Sequence, residues 1–292
     1  MTAKTRNLYA AFQGELGAFS QQAIVQLLGK QAKPFPCQRF DQVFSSLAAG
    51  QVQAAVVPIE NTLHGSVHEN YDHLLHYGFR ILAETRVRIV HNLIAPPGVP
   101  FRKIRRVLSH PVALNQCLDF FATHPRIEKV PHYDTAGSVK TILEEGATDA
   151  AAIASELAAQ IYGGTILKKG VEDDHRNFTR FFLLAPSQSK LRVPDDKSRP
   201  WKTSLVFSVR NVPGSLFRAL ATFALRDLSL TKIESRPLRG RPWEYLFYVD
   251  LLGHEEDEPV ANALRHLAEL TELLRVLGSY RAAEAAEAAR ER

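Results

Sequence analysis

The chain has 292 residues, 45% of them apolar and 23% charged, with a formal net charge of +5. That length suits two domains, the composition is that of a soluble globular protein, and so small an excess of positive charge does not demand a nucleic-acid partner. The basic cluster Arg102, Lys103, Arg105 and Arg106 lacks the interleaved aromatics of a base-stacking platform. It reads as a solvated face, or as a field drawing in anionic substrates.

Cys37 and Cys117 have neither metal nor redox spacing and are expected to be reduced core residues of a cytoplasmic protein. Lys4 and Arg6 precede an apolar run that breaks at Gln13-Gly14-Glu15, which argues against a signal peptide. No run approaches the roughly 18 apolar residues of a membrane span.

Residues 7–12 predict a strand, followed by the turn Gln13-Gly14-Glu15-Leu16-Gly17 and a helix from about Ser20. A glycine turn leading into a helix N-terminus suits a small anion, because free N–H groups point outward. The three glycines of a dinucleotide fingerprint are missing. A helix is expected at 41–49 and a buried strand at 52–57, running into Pro58-Ile59-Glu60-Asn61-Thr62. Polar groups just past a strand's carboxyl end sit where open α/β sheets hold ligands. Asn61 could equally be a turn residue bonding its own backbone.

His64, His68, His73 and His76 invite a metal reading, with His64 and His68 one helical turn apart. No glutamate stands between them in the metalloprotease arrangement and no cysteine is near, so an exposed helix face is expected and no metal site.

Residues 79–95 form one long β-rich segment, ended by Pro96-Pro97-Gly98. A strand at 106–108 leads to Ser109-His110-Pro111, where proline opens the next helix and Ser109 either caps it or meets a ligand; Gln116 and Cys117 follow two turns on. The alternation continues with a strand near 127–130, a helix capped by Asp134, a strand at 150–153, a helix from Ser155 and a strand near 165–167. That rhythm implies parallel sheets covered by helices.

Asn177-Phe178-Thr179-Arg180-Phe181-Phe182-Leu183-Leu184 reads as a buried strand carrying a hydroxyl and a guanidinium at its middle. Burying either without a partner costs about 1–3 kcal/mol for the hydroxyl and more for the charge, so the pair should face a cleft, a ligand or a carboxylate. A structural arginine at a strand end is the plainer alternative. The polar, proline-bearing stretch up to Pro200 reads as a linker.

Beyond it a strand (203–209), a helix (214–226), two strands (229–236 and 243–251), a helix (258–269) and a strand (272–279) make βαββαβ, a ferredoxin-like module with an edge open to a second copy. The tail 281–292 is a helix former with little to bury.

Six motifs occur in one order: Ala-Phe-Gln-Gly-Glu-Leu-Gly-Ala-Phe-Ser, Pro-Ile-Glu-Asn-Thr, Ser-His-Pro, Asp-Thr-Ala-Gly, Ala-Ala-Ile-Ala-Ser and Asn-Phe-Thr-Arg-Phe. Together they resemble the prephenate dehydratase family. The second module resembles an ACT regulatory domain, its two effector motifs matching Asn211-Val212-Pro213-Gly214-Ser215-Leu216 and Glu234-Ser235-Arg236-Pro237. The resemblance implies a two-lobed α/β catalytic domain like a periplasmic-binding-protein fold at 7–186, a linker at 187–202, an ACT domain at 203–280 and a tail. It implies cofactor-free loss of CO2 and water from prephenate, giving phenylpyruvate on the route to phenylalanine. Thr179 would be catalytic, and Asn61, Ser109, Gln116, Asn177, Arg180 and Phe181 would bind substrate. Asn211, Pro213, Gly214, Ser215, Leu216, Glu234, Ser235, Arg236 and Pro237 would bind phenylalanine as effector, in a homodimer or homotetramer.

Thr179 and Arg180 pose a geometric problem, since neighbours on a regular strand point to opposite faces. A bent strand, or an arginine curling round the rim, would bring both to the substrate. Two departures stand out: Val112 follows Ser-His-Pro where the family usually has glutamine, and Ser215 replaces the usual alanine of the effector loop. The Gln-Gly-Glu-Leu-Gly loop also resembles arogenate dehydratases, which act on the amino analogue. A pure small-molecule binding protein and an amino-acid-responsive transcription regulator are the competing classes; no helix-turn-helix supports the latter.

Overall fold

The computed structural model describes residues 8–238 and 243–283, and the expected tail lies, from residue 284 on, outside them. The elements in order are β1 (Tyr9–Gln13), α1 (Phe19–Leu28), β2 (Lys33–Cys37), α2 (Phe40–Ala48), β3 (Ala54–Asn61), β4 (Gly65–Ser66), α3 (His68–Tyr77), β5 (Arg80–Arg88), β6 (Asn92–Ala95) and β7 (Arg106–Ser109). Then come α4 (Pro111–Asn115), α5 (Leu118–Thr123), β8 (Glu128–Pro131), α6 (Thr135–Glu144), β9 (Ala150–Ala154), α7 (Glu156–Tyr162), β10 (Thr165–Lys168) and β11 (Phe178–Ala185). The last six are β12 (Trp201–Ser208), α8 (Ser215–Ala224), β13 (Leu230–Pro237), β14 (Tyr245–Leu252), α9 (Glu258–Leu270) and β15 (Leu273–Arg281).

Contacts divide the described residues into two compact units: one takes in residues 8–77 and Thr85–Phe182, the other Gly78–Glu84 and residues 183–238 and 243–283. The first unit has two lobes, each built on its own sheet. One sheet runs β2-β1-β3-β11-β5, with β4 added to β3; the other runs β10-β6-β9-β7-β8. β1 pairs in parallel with β2 and β3, and β7 with β8 and β9, as the strand–helix alternation predicts, but β6 pairs antiparallel with both β9 and β10, so the second sheet is mixed and not parallel as expected. The long β-rich segment is two strands rather than one: β5 and β6 lie in different sheets, so residues 89–91 cross between the lobes.

The local causes are plain in several elements. All five residues of β9, Ala-Ala-Ala-Ile-Ala, are buried, the pattern of a strand covered on both faces. The Asp134 carboxylate accepts from Gly137 N at 2.6 Å and starts α6. Ser155 Oγ accepts from Ala158 N at 3.0 Å to start α7, and Gly163, left-handed at φ 78°, ends it. β2 escaped the sequence reading because Pro34 and Pro36 interrupt it; it is an edge strand, where a missing N–H is tolerated. Phe120, Phe121, Leu114, Ile104 and Val107 form the core of the second lobe, each burial stabilising the fold by about 1.5–3 kcal/mol.

The turn between β1 and α1 is spent on joining the lobes. Ser155 Oγ donates to Gly17 O at 2.6 Å, Tyr133 donates to Glu15 at 3.0 Å, and Lys140 Nζ lies 3.4 Å from Glu15. A Cβ on Gly17 would come within 2.6 Å of Ala158 Cα, so glycine is required for that approach. The backbone N–H groups of Gly14 and Gly17 donate to Cys37 O at 2.9 Å and Gln21 Oε1 at 2.7 Å, so these donors of the expected anion site are used within the protein.

The second unit is an antiparallel sheet ordered β13-β14-β12-β15, the ferredoxin-like order. Leu205 and Phe207 of β12 meet Ala219 and Phe223 of α8 and Val260, Ala263 and Leu267 of α9 in one core. No helix among the described residues is long and apolar enough to cross a membrane.

Candidate active site

A cavity of about 670 Å³ opens in the first unit and is lined from both lobes. Asn61, His64, Thr179 and Phe181 come from the first lobe, His110, Ala113, Gln116 and Thr135 from the second, and Ile89 and His91 from the crossing segment.

At one end stands the pair Asn61 and Thr179. Asn61 closes β3, and its Oδ1 accepts from the backbone N–H of Leu63 at 2.9 Å and of His64 at 3.0 Å. Backbone N–H groups only donate, so they fix which end of the amide is oxygen. Its Nδ2 therefore donates, to Asn177 Oδ1 at 2.8 Å, to Thr179 Oγ1 at 2.9 Å and to Phe178 O at 3.2 Å. Thr179 Oγ1 is thus an acceptor, and its own proton is left for something in the cavity. Thr62 pins the same corner, donating from Oγ1 to Arg176 O at 2.8 Å and accepting from Phe178 N at 3.0 Å.

Also in the lining, His91 Nε2 lies 2.7 Å from Gln116 Oε1, and Gln116 Nε2 lies 3.0 Å from His64 Nδ1. Burial pushes the His91 pKa down despite the Gln116 contact and the nearby Glu172 carboxylate. His110 caps α4, its Nδ1 accepting from Val112 N at 3.3 Å, and burial lowers its pKa too. The guanidinium lining the cavity, Arg39, is gripped by Asp41 at 2.6 and 3.0 Å, which raises the Arg39 pKa and lowers that of Asp41. Glu69 also lines the cavity.

Among the residues expected to bind substrate, Asn61, Gln116 and Phe181 line this cavity together with Thr179; Ser109, Asn177 and Arg180 do not. Ser109 is fully buried and donates to Ile153 O at 2.6 Å, leaving the capping of α4 to His110. Asn177, also fully buried, holds Asn61. β11 alternates regularly, so Thr179 and Phe181 face the cavity and Arg180 faces away. Arg180 lies 3.8 Å from Glu60 and stacks 4.7 Å from the Phe182 ring centroid. Arg180 is absent from the cavity lining, neither brought there by a bend nor curled round the rim, so the grip expected of it would fall to other groups. Val112, the departure noted in the sequence, does line the cavity, offering an isopropyl group there.

Arg39, His91, His110 and Glu69 line the cavity but were not picked out as binding residues from the sequence. His91 had a signal, since His91-Asn92 is a polar pair set between two apolar strands. His64 lies in the loop before α3, not on a helix with His68, and no group of three or more possible metal ligands occurs among the described residues. Both cysteines are buried and unpaired.

In the second unit Asn211, Gly214, Ser215 and Leu216 line a cavity of about 430 Å³ with Trp243, Tyr245 and Phe247. Pro213 is in the same loop but not in that lining, and Glu234, Ser235, Arg236 and Pro237 lie along β13, outside it. That cavity therefore holds residues of the first effector motif without those of the second.

The family model for prephenate dehydratase matches residues 10–189, and that for the ACT domain residues 203–269. The chain belongs to the prephenate dehydratase family. As a member of that family it is a lyase. It is 45% identical to arogenate dehydratase/prephenate dehydratase 2 of Arabidopsis thaliana, covering 92% of this chain and 72% of that one. Identity to arogenate dehydratase 2 of Petunia hybrida is 41%, covering 96% and 73%. Among solved structures, a prephenate dehydratase from Arthrobacter aurescens in complex with L-Phe superposes with TM-score 0.84 at 34% identity, covering 94% of this chain and 90% of that one. A quorum-quenching acylase superposes with TM-score 0.85, also at 34% identity, covering 94% and 98%.

Proposed function

We propose that the chain converts prephenate to phenylpyruvate, with Thr179 delivering the proton that the departing ring hydroxyl needs. The observation that carries this is the Asn61–Thr179 contact at 2.9 Å, which turns the threonine proton toward the cavity. The ring carboxylate leaves as CO2, and its electron pair enters the ring as the hydroxyl departs. One proton is consumed and water is released. Aromatisation supplies the driving force, so the protein need only orient the acid and protonate a leaving group. A threonine alcohol is far too weak an acid to ionise at neutral pH. It serves while the C–O bond breaks, and Asn61 Nδ2 steadies the negative charge that grows on Oγ1. The proton is then replaced from solvent. Phe181 and Ile89 give the cavity an apolar wall on which a departing carboxylate is poorly solvated.

Arogenate is the second reading, favoured by the relatives named arogenate dehydratases at 40–45% identity. Turnover of both acids by the purified protein separates the two: prephenate should be preferred, and a clear preference for arogenate overturns that choice.

Phenylalanine acting back through the ACT unit belongs to the same proposal. It is supported by the aromatic-lined cavity beside α8 and by the L-Phe complex of the Arthrobacter relative. Because Glu234–Pro237 stand apart from that cavity, a second chain would supply them, in a dimer or tetramer.

A further inference from the structure

The mechanism above leaves open how the far end of the acid is held. Arg39, the one guanidinium among the described residues that line the cavity, spends its Nε and one Nη2 hydrogen on Asp41, so neutral donors share the work of meeting a substrate carboxylate. A side-chain amide can serve only if it stands the right way round. Reversed, Gln116 would aim a carbonyl oxygen at a carboxylate.

We propose that His91 is a positioning residue that fixes the orientation of the Gln116 amide and so makes Gln116 a donor to the substrate's carboxylate. The inference rests on the dehydratase reading of the site. His91 is 2% exposed, and burial favours its neutral form, which carries one ring proton. Its Nδ1 is buried with no hydrogen-bond partner, while Nε2 stands 2.7 Å from Gln116 Oε1. A proton on Nδ1 would leave a buried N–H orphaned, which proteins avoid more strictly than an under-used acceptor. The proton therefore sits on Nε2 and is donated to Oε1.

That turns the Gln116 NH2 toward the cavity. One hydrogen goes to His64 Nδ1 at 3.0 Å; the other is available to a ligand. The His91 ring is held in turn, its backbone N–H donating to the buried Glu172 carboxylate at 2.9 Å and its ring set edge-on to Phe19 with centroids 5.8 Å apart. His91 was not singled out in the sequence because its role runs through another side chain, not through the substrate.

Two variants and one spectrum test this. His91→Leu removes the donor and should raise KM about tenfold with kcat within about threefold, since the lost contact is made equally in ground and transition states. His91→Gln keeps an N–H at similar reach and should restore most of the affinity, which a merely space-filling role would not predict. The double variant with Gln116→Leu should cost no more than Gln116→Leu alone. Imidazole 15N resonances of the native protein should show His91 protonated on Nε2. A proton on Nδ1, an unchanged KM in His91→Leu, or full additivity with Gln116→Leu would each overturn the inference. If instead Thr179→Val kept its turnover, the dehydratase reading itself would fall, an outcome distinct from an unaltered KM in His91→Leu.

Discussion

The cavity of the first unit and the cavity beside α8 are built on opposite plans. The first draws Asn61 and Thr179 from one lobe and Gln116 and His110 from the other, all within one chain. The second draws on Val209, Arg210, the loop from Asn211 to Leu216 and aromatic side chains, while Glu234–Pro237, the other effector motif, lie elsewhere on β13. Surfaces differ accordingly: Phe217 and Trp243 beside the second cavity are 76% and 78% exposed, whereas Phe181 in the first is 2% exposed. Large exposed aromatics of that kind mark interaction surfaces. The contrast teaches that the first cavity is lined from both lobes of one copy, whereas the proposed effector site would need two.

The largest expected effect sits in the first cavity. Thr179→Val keeps the branched shape but has no hydroxyl and should lose at least about a hundredfold in kcat, the low end for a positioned proton donor. Thr179→Ser should stay within about tenfold of the native rate. Steady-state kinetics on the two variants check this; equal losses would make the residue structural.

Next comes the division of labour along β11. Arg180→Leu removes the partner of Glu60 and the cation over Phe182. It should lower stability by about 1–3 kcal/mol, discounted from a fully buried pair because Glu60 is part exposed. KM should change less than threefold, because Arg180 faces away from the cavity. A large KM change with unaltered unfolding would return Arg180 to the substrate and erase the distinction between the two faces.

For the second cavity, titration calorimetry at falling protein concentration sharpens the comparison. Phenylalanine binding should weaken as the chain dissociates, while turnover per chain in the absence of phenylalanine should hold. Binding by a monomer with undiminished affinity would make the second cavity as self-sufficient as the first.

The smallest effect is in pH dependence. The His91 pKa is depressed in the fold, so below the unfolded value of about 6.5 the unfolded chain binds more protons than the folded one. Stability from this group is thus full above that pH and is lost as pH falls. The melting temperature should drop between about pH 7 and pH 5, and the drop should shrink in His91→Gln. An identical profile in both proteins would remove His91 as the cause.

Much of this was legible in the residues. The strand–helix alternation gave the parallel pairing of β1 with β2 and β3 and of β7 with β8 and β9, but not the antiparallel pairing of β6 with β9 and β10; the βαββαβ pattern gave the antiparallel sheet of the second unit. Asn61 and Thr179 could be named because polar groups in apolar strands need partners. What the residues could not show is which way a side chain turns. Thr179 and Arg180 are neighbours in the same motif, and only the regular pleat of β11 separates their faces. Ser109 and Asn177 bond to Ile153 O and Asn61 and lie outside the cavity lining, and a string of letters does not distinguish such a use from ligand binding. The crossing at residues 89–91 was hidden for a related reason: two strands of similar composition in different sheets read as one.

The central claim is that the Thr179 hydroxyl meets the departing ring hydroxyl, and a crystal structure with an unreactive ring-acid analogue tests it most directly. The analogue's ring oxygen should lie within about 3 Å of Thr179 Oγ1, with the Asn61 contact retained. An analogue seated with that oxygen away from Thr179, or bound outside this cavity, would contradict the account.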